Sequence, residues 1–411
     1  MSGGLRGFRV RQLLTMSGPD RLPPFRGHSD TAREAAIVGL VEDAALLLDA
    51  DEVRFVGPFD ARPPVPVDWE PVDVVTPGWV DCHTHSLFAG SRAPDFARRN
   101  AGASYVEILE AGGGISSTVA ATRAATDAEL VASLVERIAA FAAQGVALLE
   151  VKTGYGLALS EELRHLRLIA EAAAACPSVE VVATCLAAHV VPAEFRERRE
   201  AYVDMVIDEL LPRVVSGRIA EQFDVFCDRG AFTVIETRRL LEAARSQGLA
   251  LRVHAEELGW TGGTALAAEL GARSADHLEH ATEQDFSAMA AAGTAAVLLP
   301  LVTVHLDLAD RPKARRMIAE GVRVALSTDY NPGSAHGLDL SLTASLGCSL
   351  LKLTPAEALR AVTRVPAEVL GRGSRYGRIE PGYCARLVAF GVEDWSGIPW
   401  HMGAAPGRRW L

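Results

Sequence analysis

The stretch PGWVDCHTHSLFAGSR, residues 77–92, ends a short apolar run with two imidazoles, His83 and His85, and soon after adds the guanidinium of Arg92. Residues two apart on a strand share a face. Both imidazoles can therefore point to one side and hold one ion. Two more groups stand where they would complete such a site. His254 lies near the end of the apolar run ALRVHAE (250–256), and Asp329 ends RVALSTD (323–329). Three neutral imidazole nitrogens and one carboxylate suit zinc or ferrous iron, with a position left open for water. Each residue alone has a plainer reading. An isolated H-x-H arises by chance, a lone histidine is often a satisfied core residue, and an aspartate ahead of N-P-G is often a cap or turn residue. It is the joint placement that carries the metal reading.

Bringing together groups this far apart in the chain requires a frame. From about residue 77 to 376, short apolar runs alternate with Ala-, Glu- and Arg-rich helical segments. The runs are VDCHTH, then 147–152, 181–189, 250–256, 274–278, 295–300 and 323–329, with GGGISST (112–118) as the candidate for a missing second strand. This alternation predicts an α/β fold, a distorted (β/α)8 TIM barrel. Nearly every run carries a polar group at its C-terminal end: His83 and His85, Lys152, His189, His254, His277 and Asp329. That end is where TIM barrels place catalysis. Residues 1–76 and 377–411 contain β-like runs and Pro- and Gly-rich pieces, and predict a small β-sandwich domain built from both chain ends beside the 77–376 barrel. A two-metal centre bridged by a modified lysine would need a lysine on the fourth strand. VVATCLAAH, taken as the fourth, has none, and Lys152 ends the run taken as the third. One metal is favoured, and Lys152 reads equally well as an ion pair supporting a loop.

With 411 residues, 49% hydrophobic and 23% charged, the chain can bury a large core and reads as a soluble globular protein. Its net charge of −11 argues against nucleic acid and anionic membrane as partners, while a local basic pocket for an anionic small molecule stays open. Cys82, Cys176, Cys185, Cys227, Cys348 and Cys384 form no C-x-x-C pair, which suggests a reduced, cytoplasmic protein. The basic N-terminal stretch lacks the apolar core of a signal peptide. Residues 286–306 carry no Asp, Glu, Lys or Arg, but Gly293, Pro300 and His305 interrupt them. A helix tail and a buried strand fit that stretch better than a membrane span.

The stretches HTHSLFAGSR, ASYVEILEAGGGISSTV, ATRAAT, EVKTGYGL, AHVVPAEF, DVFCDRGAF, HAEEL, SADHLEH, AVLLP and TDYNPGS resemble the amidohydrolase superfamily and, more narrowly, the imidazolonepropionase family. The resemblance spans about residues 77–370. It implies that His83, His85, His254 and Asp329 ligate one divalent ion, zinc or iron. It implies catalytic roles for Glu257, His277 and Asp329. It implies substrate contacts from Arg92, Tyr105, Tyr155, His189 and Glu257, with Asn331, Gly333 and Ser334 near the substrate's polar tail. The implied reaction is hydrolysis of 4-imidazolone-5-propanoate at the ring carbonyl–nitrogen bond, giving N-formimidoyl-L-glutamate in histidine degradation, in a homodimeric enzyme.

The residue types are suited to these roles. A guanidinium such as Arg92 binds a carboxylate through two parallel hydrogen bonds. Tyr155 lies on a Gly-flanked loop, where backbone can approach a ligand. N-P-G-S after Asp329 is either a turn whose amides bind an anion or an ordinary tight turn. Gly112–Gly114 lacks a Walker lysine and reads as a tight loop near the site, and His280 and His305 read as structural. Two stretches depart from the family pattern: LPLVTVHLD (299–307), and Cys384-Ala385-Arg386-Leu387 near the end. The alternatives are another single-metal amidohydrolase, either a deaminase of amino-azoles or purines or a hydantoin-like cyclic amide hydrolase, and a non-catalytic metal-binding protein.

Overall fold

Hydrophobic periodicity and helix caps divide the chain into two sheets and a shell of helices. The computed structural model describes residues 4–25, 27, 30–104, 107–108, 111–403 and 407–411. Strands β1 (Leu5–Leu14), β2 (Leu40–Asp49), β3 (Glu52–Pro58) and β4 (Trp69–Pro77) come first. The second sheet follows with β5 (Trp79–Asp81), β6 (Val146–Lys152), β7 (Glu180–Ala188), β8 (Gln222–Cys227), β9 (Ala250–Ala255), β10 (Ser274–His277), β11 (Ala295–Leu298) and β12 (Val324–Leu326). Strands β13 (Leu387–Phe390) and β14 (Arg409–Trp410) return to the first sheet. That sheet is six-stranded and mixed, in the order β14-β13-β4-β1-β2-β3, so both chain ends meet in it as predicted. Phe8, Val10, Leu46, Val75 and Leu387 form its core.

The second sheet runs in the order β12 to β5, each neighbouring pair parallel. It is closed by backbone just past the two edge strands. The Asp329 amide donates to the His83 carbonyl (3.1 Å), and the His85 amide donates to the Tyr330 carbonyl (3.0 Å). The barrel therefore closes through the segments that carry three of the predicted metal ligands. Leu149, Val151, Phe223, Val225 and Val253 face outward, in one cluster with helix residues Leu134, Ile138, Leu166, Ile169 and Leu240. The helix Asp127–Ala143 shows how local sequence sets this shell. Thr126 and Glu129 form a capping box, and Leu130, Leu134, Ile138 and Phe141 make the buried stripe at 3–4-residue spacing.

Two strand expectations need correction. GGGISST is not the second strand: Ile115–Ala124 is a helix that follows Gly114, whose φ of +77° suits glycine. The strand missing from the sequence reading is β8, QFDVFC. Its Gln222 and Asp224 are buried, so it does not read as a continuous apolar run. Lys152 accordingly ends the second barrel strand and His189 follows the third. The true fourth strand, β8, also lacks a lysine. The uncharged stretch 286–306 is a helix end, strand β11 and the short helix Pro300–His305. Among the described residues, no helix is long and apolar enough to cross a membrane. All six cysteines are unpaired.

Candidate active site

Strand β5 runs into C-H-T-H, and its two imidazoles turn inward at the barrel's C-terminal mouth. His83, His85 and His254 are buried, each with one ring nitrogen within 4.8 Å of the others. Asp329 joins them: its Oδ1 lies 3.4 Å from His83 Nε2 and 3.3 Å from His85 Nε2. His254 Nε2 lies 3.3 Å from His85 Nε2. His83 Nε2 and Asp329 Oδ1 are buried without any hydrogen-bond partner. Burial holds the His83 and His85 imidazoles well below their usual basicity, with Lys152 and His254 adding to it, so both rings are neutral near pH 7.

The far side of two of these rings is fixed. His83 Nδ1 lies 2.6 Å from Asp276 Oδ2, and His254 Nδ1 lies 3.1 Å from Asp224 Oδ1. A carboxylate can only accept, so both rings donate from Nδ1 and turn Nε2 inward. Asp329 Oδ2 takes hydrogen bonds from Asn331 Nδ2 (2.9 Å) and the Ser334 hydroxyl (3.2 Å), which leaves Oδ1 free. Pre-oriented donors of this kind, two of them without a hydrogen-bond partner, fit a divalent cation.

The other predicted residues gather around this centre. His277 Nε2 lies 3.7 Å from Glu257 Oε2, and the His277 ring centroid is 5.6 Å from that of His83. Burial drops the His277 imidazole to about 3 and pushes the Glu257 carboxyl well above the usual carboxylate range, with Glu279, Asp329 and Asp228 adding repulsion. His189 stacks on His85 at 5.2 Å, and its Nδ1 donates to the Gly154 carbonyl (3.0 Å). Tyr155 is buried beside both rings, 6.1 Å from His85 and 5.6 Å from His189. Gly154, at φ +111°, brings that loop close: a Cβ there would lie 3.0 Å from His189 Nδ1. Arg92 is held through Nε by Asp95, which also accepts the Gly114 amide, so the triple-glycine loop does pack near the site. Arg92 Nη1 would lie 3.1 Å from a Cβ placed on Gly333. The Gly333 and Ser334 amides both donate to Asn331 Oδ1 (2.7 Å each), the arrangement of an ordinary Asx turn. Tyr105 lies outside the described residues.

Several residues of the site went unread in the sequence. Glu256 accepts hydrogen bonds from Thr261, Gly262, Gly263 and Thr264, and so ties down the loop that carries Glu257. Asp228 Oδ2 accepts the Glu257 and Leu258 amides at 2.7 and 3.0 Å. Glu256, His277, Leu278 and Asp329 all have positive φ, at +55°, +79°, +74° and +51°. Each such non-glycine residue costs on the order of 1–3 kcal/mol, and such strain gathers at functional sites.

Glu279 is buried with neither carboxylate oxygen partnered, and burial pushes its carboxyl up to about 8. The folded protein therefore holds a proton that the unfolded chain releases near 4.5, and stability falls as pH rises from there to about 8. Glu279→Gln should flatten that decline in the metal-free protein, read by urea unfolding at pH 5, 6.5 and 8. An unchanged pH slope would refute the assignment.

The model of the amidohydrolase family matches residues 74–398. An imidazolonepropionase from Chloroflexus aggregans is 43% identical over 409 residues, covering 96% of this chain and 94% of the relative. The chain belongs to the imidazolonepropionase family. A Pseudomonas putida imidazolonepropionase is 42% identical over 373 residues, covering 90% of this chain and 92% of its own. Among solved structures, a triazine hydrolase variant superposes at a TM-score of 0.71 and 16% identity, covering 95% of this chain and 90% of that one. A zinc-bound adenosine deaminase from Xanthomonas campestris does so at 0.68 and 18%, covering 98% and 89%. These two share the fold, and imidazolonepropionases share the sequence.

Proposed function

We infer that the protein hydrolyses 4-imidazolone-5-propanoate to N-formimidoyl-L-glutamate, breaking the ring carbonyl–nitrogen bond. The observation that carries this is 43% identity to an imidazolonepropionase across nearly the whole chain. The convergence of His83, His85, His254 and Asp329 supports it. These four residues would hold the cation, zinc or iron. A divalent cation there acidifies water and polarises the ring carbonyl.

The remaining work falls to the chain's own groups. Neutral His277 takes up the proton that water loses on attack, and the Asp329 carboxylate relays it. Glu257, kept protonated by its surroundings, donates to a ring nitrogen, so that the leaving nitrogen departs neutral. Tyr155 and His189 line the wall beside the imidazoles and exclude water from that side of the ring. Arg92 binds the propionate, with the Asn331–Ser334 turn beside it. The inferred assembly is a cytoplasmic homodimer whose protomers place a barrel of residues 77–376 beside a smaller unit made of 1–76 and 377–411.

The deciding experiment joins metal analysis to an assay with freshly made imidazolone propionate, following loss of the ring and release of ammonia separately. Ring loss without ammonia is expected. Ammonia release, or turnover of a hydantoin-like propionate alone, would overturn the assignment. Light scattering checks the dimer. Arg92→Met should raise KM for the propionate substrate about 100-fold, since two charge-assisted hydrogen bonds contribute roughly 3 kcal/mol together. Metal content should not change. An unaltered KM removes Arg92 from the site.

A further inference from the structure

Beneath the metal ligands lies a chain of buried charges that the proposed reaction does not use. It starts at His83 Nδ1, 2.6 Å from Asp276 Oδ2. Arg252 Nη2 lies 2.6 Å from the same oxygen, and Arg252 Nη1 lies 2.6 Å from Glu150 Oε1. Lys152 Nζ lies 2.8 Å from Glu150 Oε1 and 2.7 Å from Asp224 Oδ2. Asp224 Oδ1 then meets His254 Nδ1 at 3.1 Å. The five charges alternate in sign, and every charged side chain in the chain has 0% exposure. Thr184 Oγ1 adds a bond to Glu150 Oε1 at 2.5 Å, and Arg252 Nη1 also reaches the Cys82 carbonyl at 2.5 Å, next to His83. In the sheet, two strands separate β6 from β9, so the Glu150–Arg252 contact crosses the barrel interior.

Stability alone is a poor reason for such a chain. Apolar side chains of similar volume serve a core at least as well as buried ion pairs, whereas removing one partner strands a charge. What the chain does secure is geometry. It sets the acceptor behind two imidazoles, one just past β5 and one on β9, whose ring centroids are only 4.4 Å apart. Lys152 is its central link. It is the cation that binds the Glu150 half, on the His83 side, to Asp224 behind His254.

Resting on the metal-dependent reading above, we propose that Lys152 is a positioning residue that links Asp224 behind His254, through Glu150 and Arg252, to Asp276 behind His83 and so fixes the spacing of these two ligands. Its ammonium is taken up by Glu150 and Asp224. Loss of a partner behind a metal-ligating histidine typically weakens binding 10- to 100-fold.

Lys152→Met should therefore weaken Zn2+ binding by about that factor in chelator competition on the full chain. In the reloaded enzyme kcat should fall while KM holds. Arg33→Met is the control. It breaks a buried pair with Glu357 (2.6 Å) far from the site and should lower the unfolding temperature while leaving Zn2+ affinity unchanged. Zn2+ affinity within twofold of wild type in folded Lys152→Met overturns the proposal. If that variant does not fold, Thr184→Val decides. Its removal of one donor to Glu150 should weaken Zn2+ binding threefold or more, and wild-type affinity overturns the proposal. Failure of the unaltered protein to bind Zn2+ would strike the proposed function instead.

Discussion

His254→Ala should remove bound metal and turnover together. Its Nε2 is one of three imidazole nitrogens gathered within 4.8 Å, and alanine offers no donor in its place. Loss of the cation removes several kcal/mol of transition-state stabilisation, and about 5 kcal/mol corresponds to a roughly 10⁴-fold fall in kcat. Elemental analysis of the purified variant should give well under one metal per chain, with the far-ultraviolet circular dichroism of the unaltered protein. The barrel should persist, because its cohesion lies in the outward cluster around Leu149, Val225 and Val253. A variant with full metal content and kcat within tenfold of wild type would dissolve the proposed centre.

The parts of this site that could be read from the sequence are those that depend on one strand at a time. His83 and His85 declare a shared face by their spacing. His254, His277 and Asp329 declare a barrel mouth by lying at the ends of apolar runs. What could not be read depends on which strands are neighbours. Asp276 stands behind His83 although 193 residues separate them. Asp224 stands behind His254 only because β8 pairs with β9 in one register. Strand β8 was itself hidden, because Gln222 and Asp224 interrupt its apolar pattern. The polar interior that hid the strand supplies the carboxylate that orients His254. GGGISST misled for the opposite reason. Its Thr and Ile residues favour strands locally, yet Gly114 leads into a helix whose Val119 packs into the core.

The turn after Asp329 shows the same limit. N-P-G-S left open an anion cradle or a tight turn. The structure has Asn331 Oδ1 accepting both amides while its Nδ2 donates to Asp329 Oδ2. Asn331 and Ser334 thereby orient the carboxylate of Asp329. That work is as necessary to a metal site as a contact to substrate, since it decides which oxygen faces the imidazoles.

His277→Ala separates catalysis from metal binding. The His277 ring is buried beside His83 and His254, its Nδ1 has no partner, and its Nε2 looks toward Glu257. Burial lowers it to about 3, so it is neutral at any pH where the enzyme would work and presents an unprotonated nitrogen. Removing a positioned general base costs about 10²–10⁴ in kcat, and a fall of roughly 10³ is expected, with metal content unchanged and KM little altered. A second signature tests the same environment. The unfolded imidazole titrates near 6.5 and the folded one near 3, so acid favours the unfolded chain across that window. Alanine should remove this contribution and make the metal-free protein less sensitive to acid between pH 6 and 4. Near-normal turnover with metal retained would take His277 out of the reaction, and an unchanged acid profile would mean that its ring is not held neutral by burial.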